Sequence, residues 1–146
     1  MPSLSPLHIY RATVLTCLLM LLAPVRAANL GAENSHGGIA DVGKVHFATS
    51  CVPRVRGAFV KGVALLHSFQ YELSRKVFEE VARNDSHCAM AYWGQAMSLY
   101  HPLWVWPNAQ TLQQGHSNIE TAERLGAKTN RERAYIHAAA IYYQDD

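Results

Sequence analysis

Two stretches of this chain resemble each other: residues 58–67 read AFVKGVALLH, and residues 92–101 read YWGQAMSLYH. Phe59 falls on Trp93, Gly62 on Ala96, Val63 on Met97, Leu65 on Leu99, and His67 on His101. Between them lies a second amphipathic segment, Leu73 to Arg83, with Leu73, Val77, Phe78 and Val81 on one face and Arg75, Lys76, Glu79, Glu80 and Arg83 on the other. The interval is about 34 residues, the length at which a helix, a short turn and a second helix recur. Such a hairpin cannot bury its apolar face alone, so neighbouring hairpins must stack.

Apolar spacing extends this pattern along the chain. Val45 to Pro53 reads as extended, and Pro53 suits the first turn of a helix spanning about 54–69. Gly62 sits where a neighbouring helix can approach closely. Gln70-Tyr71-Glu72 makes a turn, and a second helix covers about 73–84. Asn84-Asp85-Ser86 supplies a stop and the next N-cap; it also matches the N-glycosylation sequon, a short match better explained by capping. The third helix, about 88–100, is apolar nearly all round, as in a helix sandwiched between neighbours. Pro102 and Pro107 bracket Leu103-Trp104-Val105-Trp106 and interrupt the repeat. A fourth helix covers about 109–125 with Gly126 as its C-cap, and Thr129-Asn130-Arg131-Glu132 is a capping box opening a fifth. The expected fold is all-α: a tetratricopeptide-like, right-handed helical hairpin array (an α-solenoid) of about five helices. No second helix follows the fifth before Asp146, so the array is expected to be truncated, or to cap itself by self-association through its open C-terminal helix.

The N-terminus reads as a secretory signal peptide: His8 and Arg11 precede an apolar run from Ala12 to Val25, and Val25-Arg26-Ala27 offers a cleavage site. The run is short for a membrane span, which needs about 20 apolar residues; an uncleaved anchor is the alternative. The expected domains are a signal peptide at 1–27, a Gly/Asn/Ser-rich flexible lead-in at 28–45 and a helical domain at 46–146. Cleavage removes Arg11 and Arg26 from the 13 basic residues and none of the 11 acidic ones, leaving a neutral mature chain. Nothing forms the basic stripe that nucleic acid requires. Two cysteines remain, Cys51 and Cys88. In an oxidising compartment an even pair invites a disulfide, and stacked hairpins bring equivalent helix ends together. The bland alternative is two buried thiols that never meet.

Val45-His46-Phe47 through Cys51, residues 62–69 (GVALLHSF), residues 88–94 (CAMAYWG) and residues 96–104 (AMSLYHPLW) together resemble a family of exported bacterial tetratricopeptide-repeat proteins, over roughly residues 44–143. The resemblance implies a longer array of which this chain is the N-terminal portion, and it implies no chemistry. Ser74 departs from the repeat pattern at a position usually small and apolar, and Ser86 at one usually proline.

No catalytic constellation stands out. Metal sites want three or four ligands at matched spacing, and no Cys-x-x-Cys, His-Glu-x-x-His or haem-attachment motif occurs; neither a metal nor a cofactor is expected. Glu79-Glu80 and Asp145-Asp146 are sequence neighbours that do not face each other on a helix. No Gly-flanked nucleophile elbow or phosphate loop is present. The expectation is a protein- or peptide-binding scaffold, exported to the periplasm or cell surface, not an enzyme and without a stable membrane span once cleaved. The alternative is the helical-repeat part of a larger exported enzyme whose catalytic residues lie beyond this chain. First helices of repeats line the concave face, which makes Phe59, His67, Trp93, Met97, Tyr100 and His101 groove candidates. Trp104 and Trp106 join them as loop aromatics of the kind that anchor interfaces.

Overall fold

Proline at the first helical position sets the start of the first helix, since its missing N–H is not needed there. In the computed structural model, which describes residues 42–101 and 105–144, that helix is α1, Pro53–His67. It is followed by α2 (Tyr71–Asn84), α3 (Ala89–Leu99), α4 (Ala109–Leu125) and α5 (Asn130–Gln144). Among the described residues there is no strand. The signal-peptide expectation and nearly all of the lead-in fall outside the described residues. No described helix is long and apolar enough to cross a membrane.

The first turn falls earlier than the sequence spacing predicts. α1 ends at His67 because the chain closes on itself: the Gln70 N–H donates to the Leu65 carbonyl at 3.0 Å and the Phe69 N–H to that of Leu66 at 3.2 Å. This is a Schellman end, and it places Phe69 at φ 59°. Glycine usually fills that left-handed position; a side chain there costs about 1–2 kcal/mol. The early stop lets α2 begin at Tyr71 rather than Leu73. The turn before α3 also differs. Its N-cap position is Cys88, whose side chain makes no cap bond. Asp85 instead accepts from the Val52 N–H (2.9 Å) and the His87 N–H (3.3 Å).

The later caps follow the sequence more closely. Asn108 accepts from the Thr111 N–H at 2.9 Å to open α4, and Gly126 closes it at φ 73°. At α5 the capping box forms as expected: the Glu132 N–H donates to Thr129 Oγ1 at 3.2 Å and the Thr129 N–H to Glu132 Oε2 at 3.3 Å.

Each helix packs on its chain neighbours; α1 also touches α3 and α3 touches α5, whereas α2 and α4 do not meet. The odd-numbered helices therefore share one side. α3 contacts all four others, which explains why Ala89, Met90, Ala91, Trp93, Gly94, Ala96, Ser98 and Leu99 are all buried.

α1, α2 and α3 meet at one ring. Phe78 of α2 is fully buried and lies against two glycine backbones, Gly62 in α1 and Gly94 in α3. A Cβ on Gly62 would lie 2.9 Å from the ring, and one on Gly94 only 2.5 Å. Beside it the buried Ser74 hydroxyl donates to the Gly62 carbonyl at 2.9 Å, and Ser98 Oγ lies 3.0 Å from Ser74 Oγ and 2.7 Å from the Gly94 carbonyl. Serine is thus accommodated at a usually apolar position because every polar atom around it is satisfied.

The two glycines should respond differently to substitution. Alanine gains about 1 kcal/mol of helix propensity at either site, against about 1–3 kcal/mol for overpacking. Gly94→Ala, with the tighter contact, is expected to lose about 1–2 kcal/mol net, and Gly62→Ala to stay within about 0.5 kcal/mol of the parent. Urea denaturation followed by circular dichroism checks both; equal losses would contradict the graded contact.

Candidate functional site

The segment before α1 positions the site. Residues 45–52 take no helical form and are tied down at both sides. The Ser50 N–H donates to Glu132 Oε1 at 2.7 Å, and Thr49 Oγ1 to the same oxygen at 3.2 Å. Arg131 donates to the Ala48 carbonyl at 2.9 Å. At the other side Cys51 is joined to Cys88 by a disulfide, with Cα atoms 4.9 Å apart. The expected bridge between equivalent helix ends is present. The segment is therefore a strap fastened to the start of α5 and to the corner between α2 and α3.

Glu132 is the buried charge in this arrangement, 1% exposed. Burial alone would raise its pKa, but the bonds from Ser50, Thr129 and Thr49 outweigh that and hold it below the usual carboxylate value. The start of α5 adds favourable N-terminal peptide dipoles.

The strap delivers Phe47 onto the side shared by α1, α3 and α5. Its ring lies 5.5 Å from that of Phe59, 5.7 Å from Trp93 and 5.4 Å from Tyr135, centroid to centroid. The Arg131 guanidinium covers it at 4.7 Å, a cation–π contact. One residue of the strap thus meets all three odd-numbered helices.

Next to Phe47 a cleft of about 530 Å³ remains open. It is lined by Val45, His46 and Phe47 of the strap, by Leu66 and His67 of α1, by Trp93, Met97 and Tyr100 of α3, and by Tyr135, Ala138, Ala139, Tyr142 and Tyr143 of α5. Among the described residues, no carboxylate, lysine or arginine lines it. The Tyr143 hydroxyl is committed to the Ala96 carbonyl at 2.7 Å, and burial, with Tyr142 and Tyr100 adding to it, pushes its pKa above the ordinary phenol value.

Of the groove candidates, His67, Trp93, Met97 and Tyr100 come together in this cleft. Phe59 is fully buried beneath Phe47 and reaches no solvent. His101 lies elsewhere: its Nε2 is 2.6 Å from the Ser98 carbonyl and its ring 4.2 Å from that of Tyr71. α3 stops at Leu99, so His101 lies past the helix end that His67 occupies in α1. Trp106 is 78% exposed between α3 and α4 and does not line the cleft, and Trp104 lies outside the described residues. Sequence reasoning missed Phe47 and Tyr135 as site residues. One period beyond Trp93 falls on Ala127, and Tyr135 comes later still, an offset that the proline-bracketed interruption could have signalled.

The donor atoms of Cys51, Asp85 and Cys88 lie within 4.8 Å of one another, but both sulfurs are spent on the disulfide and Asp85 on backbone N–H groups. The cleft, by contrast, offers aromatic, imidazole and thioether groups that can bind and orient a ligand. No family model, no curated protein and no solved structure matches this chain.

Two stability tests follow from the strap. The disulfide links cysteines separated by 37 positions, a loop for which chain entropy gives about 4 kcal/mol. Replacing both cysteines by serine is expected to remove much of that, and reducing agent should lower the parent's melting temperature to about the variant's. Glu132 supplies an acid-side signature. Its pKa is lowered in the folded state, so the stability it contributes is present above the ordinary value of 4.5 and lost as pH falls below it, through the lowered native value. Glu132→Gln is expected to cost about 1–3 kcal/mol at pH 7, with the gap to the parent narrowing below pH 4.5. Thermal melts from pH 7 to pH 3 read both; a gap that does not change with pH would show that the charge is not what stabilises the strap.

Proposed function

We propose that this chain is an exported tetratricopeptide-type array whose inner face, formed by α1, α3 and α5, binds an extended segment of a partner protein, without catalysis of its own. The observation that carries the reading is the apolar cleft on the odd-numbered helices. Its volume of about 530 Å³ lies in the roughly 300–1,000 Å³ range of ligand clefts. His67 of α1 and Met97 of α3 both line it, whereas their partners one repeat away, His101 and Val63, do not. Contacts of α1 with α3 and of α3 with α5, and none between α2 and α4 among the described residues, support a reading as hairpins stacked in a row. Close packing of Gly62 on Phe78 within the first hairpin supports the same reading. The Cys51–Cys88 disulfide suits an oxidising, exported setting.

The test is a display library of random extended peptides selected against the folded chain. Enriched peptides should bind the parent and lose at least tenfold in affinity to Met97→Glu, which sets a carboxylate in an uncharged cleft, while circular dichroism shows unchanged helix content. Peptides that bind the folded variant as well as the parent would place recognition elsewhere.

A further inference from the structure

We infer that the open cleft is a subsite for an uncharged aromatic side chain presented on an extended peptide, an assignment that rests on the peptide-binding reading above. The strap is the internal template. Phe47 belongs to a non-helical stretch of chain, yet its ring is received by Phe59, Trp93 and Tyr135 at 5.4–5.7 Å, the separation at which aromatic rings attract through edge and offset contacts. The inner face thus already holds one aromatic residue delivered by extended backbone. The cleft continues the same surface. Trp93 and Tyr135 serve both the Phe47 nest and the cleft, and Phe47 is itself a wall of it. Besides Phe47, the lining supplies the pair Tyr100 and Tyr142, whose rings lie 4.3 Å apart.

The charge pattern disfavours a charged side chain. Arg131, the cation nearest the nest, is held over Phe47 and donates to the Ala48 carbonyl, and it does not line the cleft. A lysine side chain entering the cleft would lose its hydration and meet no carboxylate, and a glutamate would meet only the imidazoles of His46 and His67. Met97 adds an unbranched, polarisable side chain that adapts to rings of different outline.

The experiment uses the full chain, isotopically labelled, titrated with short blocked Gly/Ser peptides carrying one central Phe, Trp, Leu, Lys or Glu, and read by amide chemical shifts. The Phe and Trp peptides are expected to bind at least tenfold more tightly than the Lys and Glu peptides and severalfold more tightly than the Leu peptide. Their shifts should centre on Met97, Ala138 and Tyr142. Ala138→Phe, which fills the cleft from an exposed helix position, should abolish the shifts. Phe47→Leu should weaken the aromatic peptides severalfold while leaving the Leu peptide unchanged. Equal affinity for all five peptides, or for Phe and Leu, would overturn the aromatic assignment and leave peptide binding standing. Shifts confined to α2 and α4 would overturn the location. Failure of every peptide here, while library-selected peptides bind through Met97, would overturn the aromatic subsite alone; failure of both would overturn peptide binding as well.

Discussion

Phe78 is the side chain on which the packing of α1, α2 and α3 depends. Its ring fills the space that two missing Cβ atoms leave, at Gly62 and Gly94, so three helix backbones approach one aromatic face. Close approach exposes the glycine carbonyls to a buried environment, where an unsatisfied acceptor costs about 1–3 kcal/mol. The buried hydroxyls of Ser74 and Ser98 avoid that kind of penalty by bonding to the Gly62 carbonyl, to each other and to the Gly94 carbonyl. Ring, glycines and hydroxyls form one unit: enlarging a glycine displaces the ring, and removing the Ser74 hydroxyl removes its bond from α2 to the Gly62 carbonyl of α1. α3 takes part in this joint and also packs on α4 and α5, the latter tied to it by the Tyr143 hydroxyl, which donates to the Ala96 carbonyl.

Much of this was legible from spacing. Helices show themselves by apolar residues at every third or fourth position, and the five described helices were all visible. Gly62 announced a close approach, and the capping box at Thr129–Glu132 and the C-cap at Gly126 were local chemistry written in local sequence. Cys51 and Cys88 were readable as a pair because a stacking period places equivalent helix ends together.

What was not legible depends on distance along the chain or on a rule being broken. Phe47 finds Tyr135 at the far end of the helical domain, and nothing in an aperiodic stretch names its partner. Glu132 looked complete as a capping residue, yet one of its oxygens serves Thr129 and the other reaches Ser50 and Thr49. Phe69 ends α1 in a conformation that glycine normally takes, so the turn came early without a signal. His101 was aligned with His67 by the period, but the period counts residues, not helical turns: α1 runs through position 67, while α3 has already ended at Leu99.

The strap joins stability to recognition. A small domain buries a modest fraction of its chain and commonly needs a staple. Here the staple consists of the Cys51–Cys88 bridge and the bonds to Glu132, and between those two fastenings and Val45 the chain must cross the side shared by α1, α3 and α5. Phe47 is the residue that makes this crossing favourable, since its ring joins an existing aromatic surface. Covering that surface in part is what bounds the cleft, because Val45, His46 and Phe47 become its wall. Loosening the strap would therefore act twice, lowering stability through the lost bonds and opening the cleft toward Phe59. A ligand that gains its contacts from that wall would in turn stabilise the strap, since binding to the folded state alone raises stability by mass action.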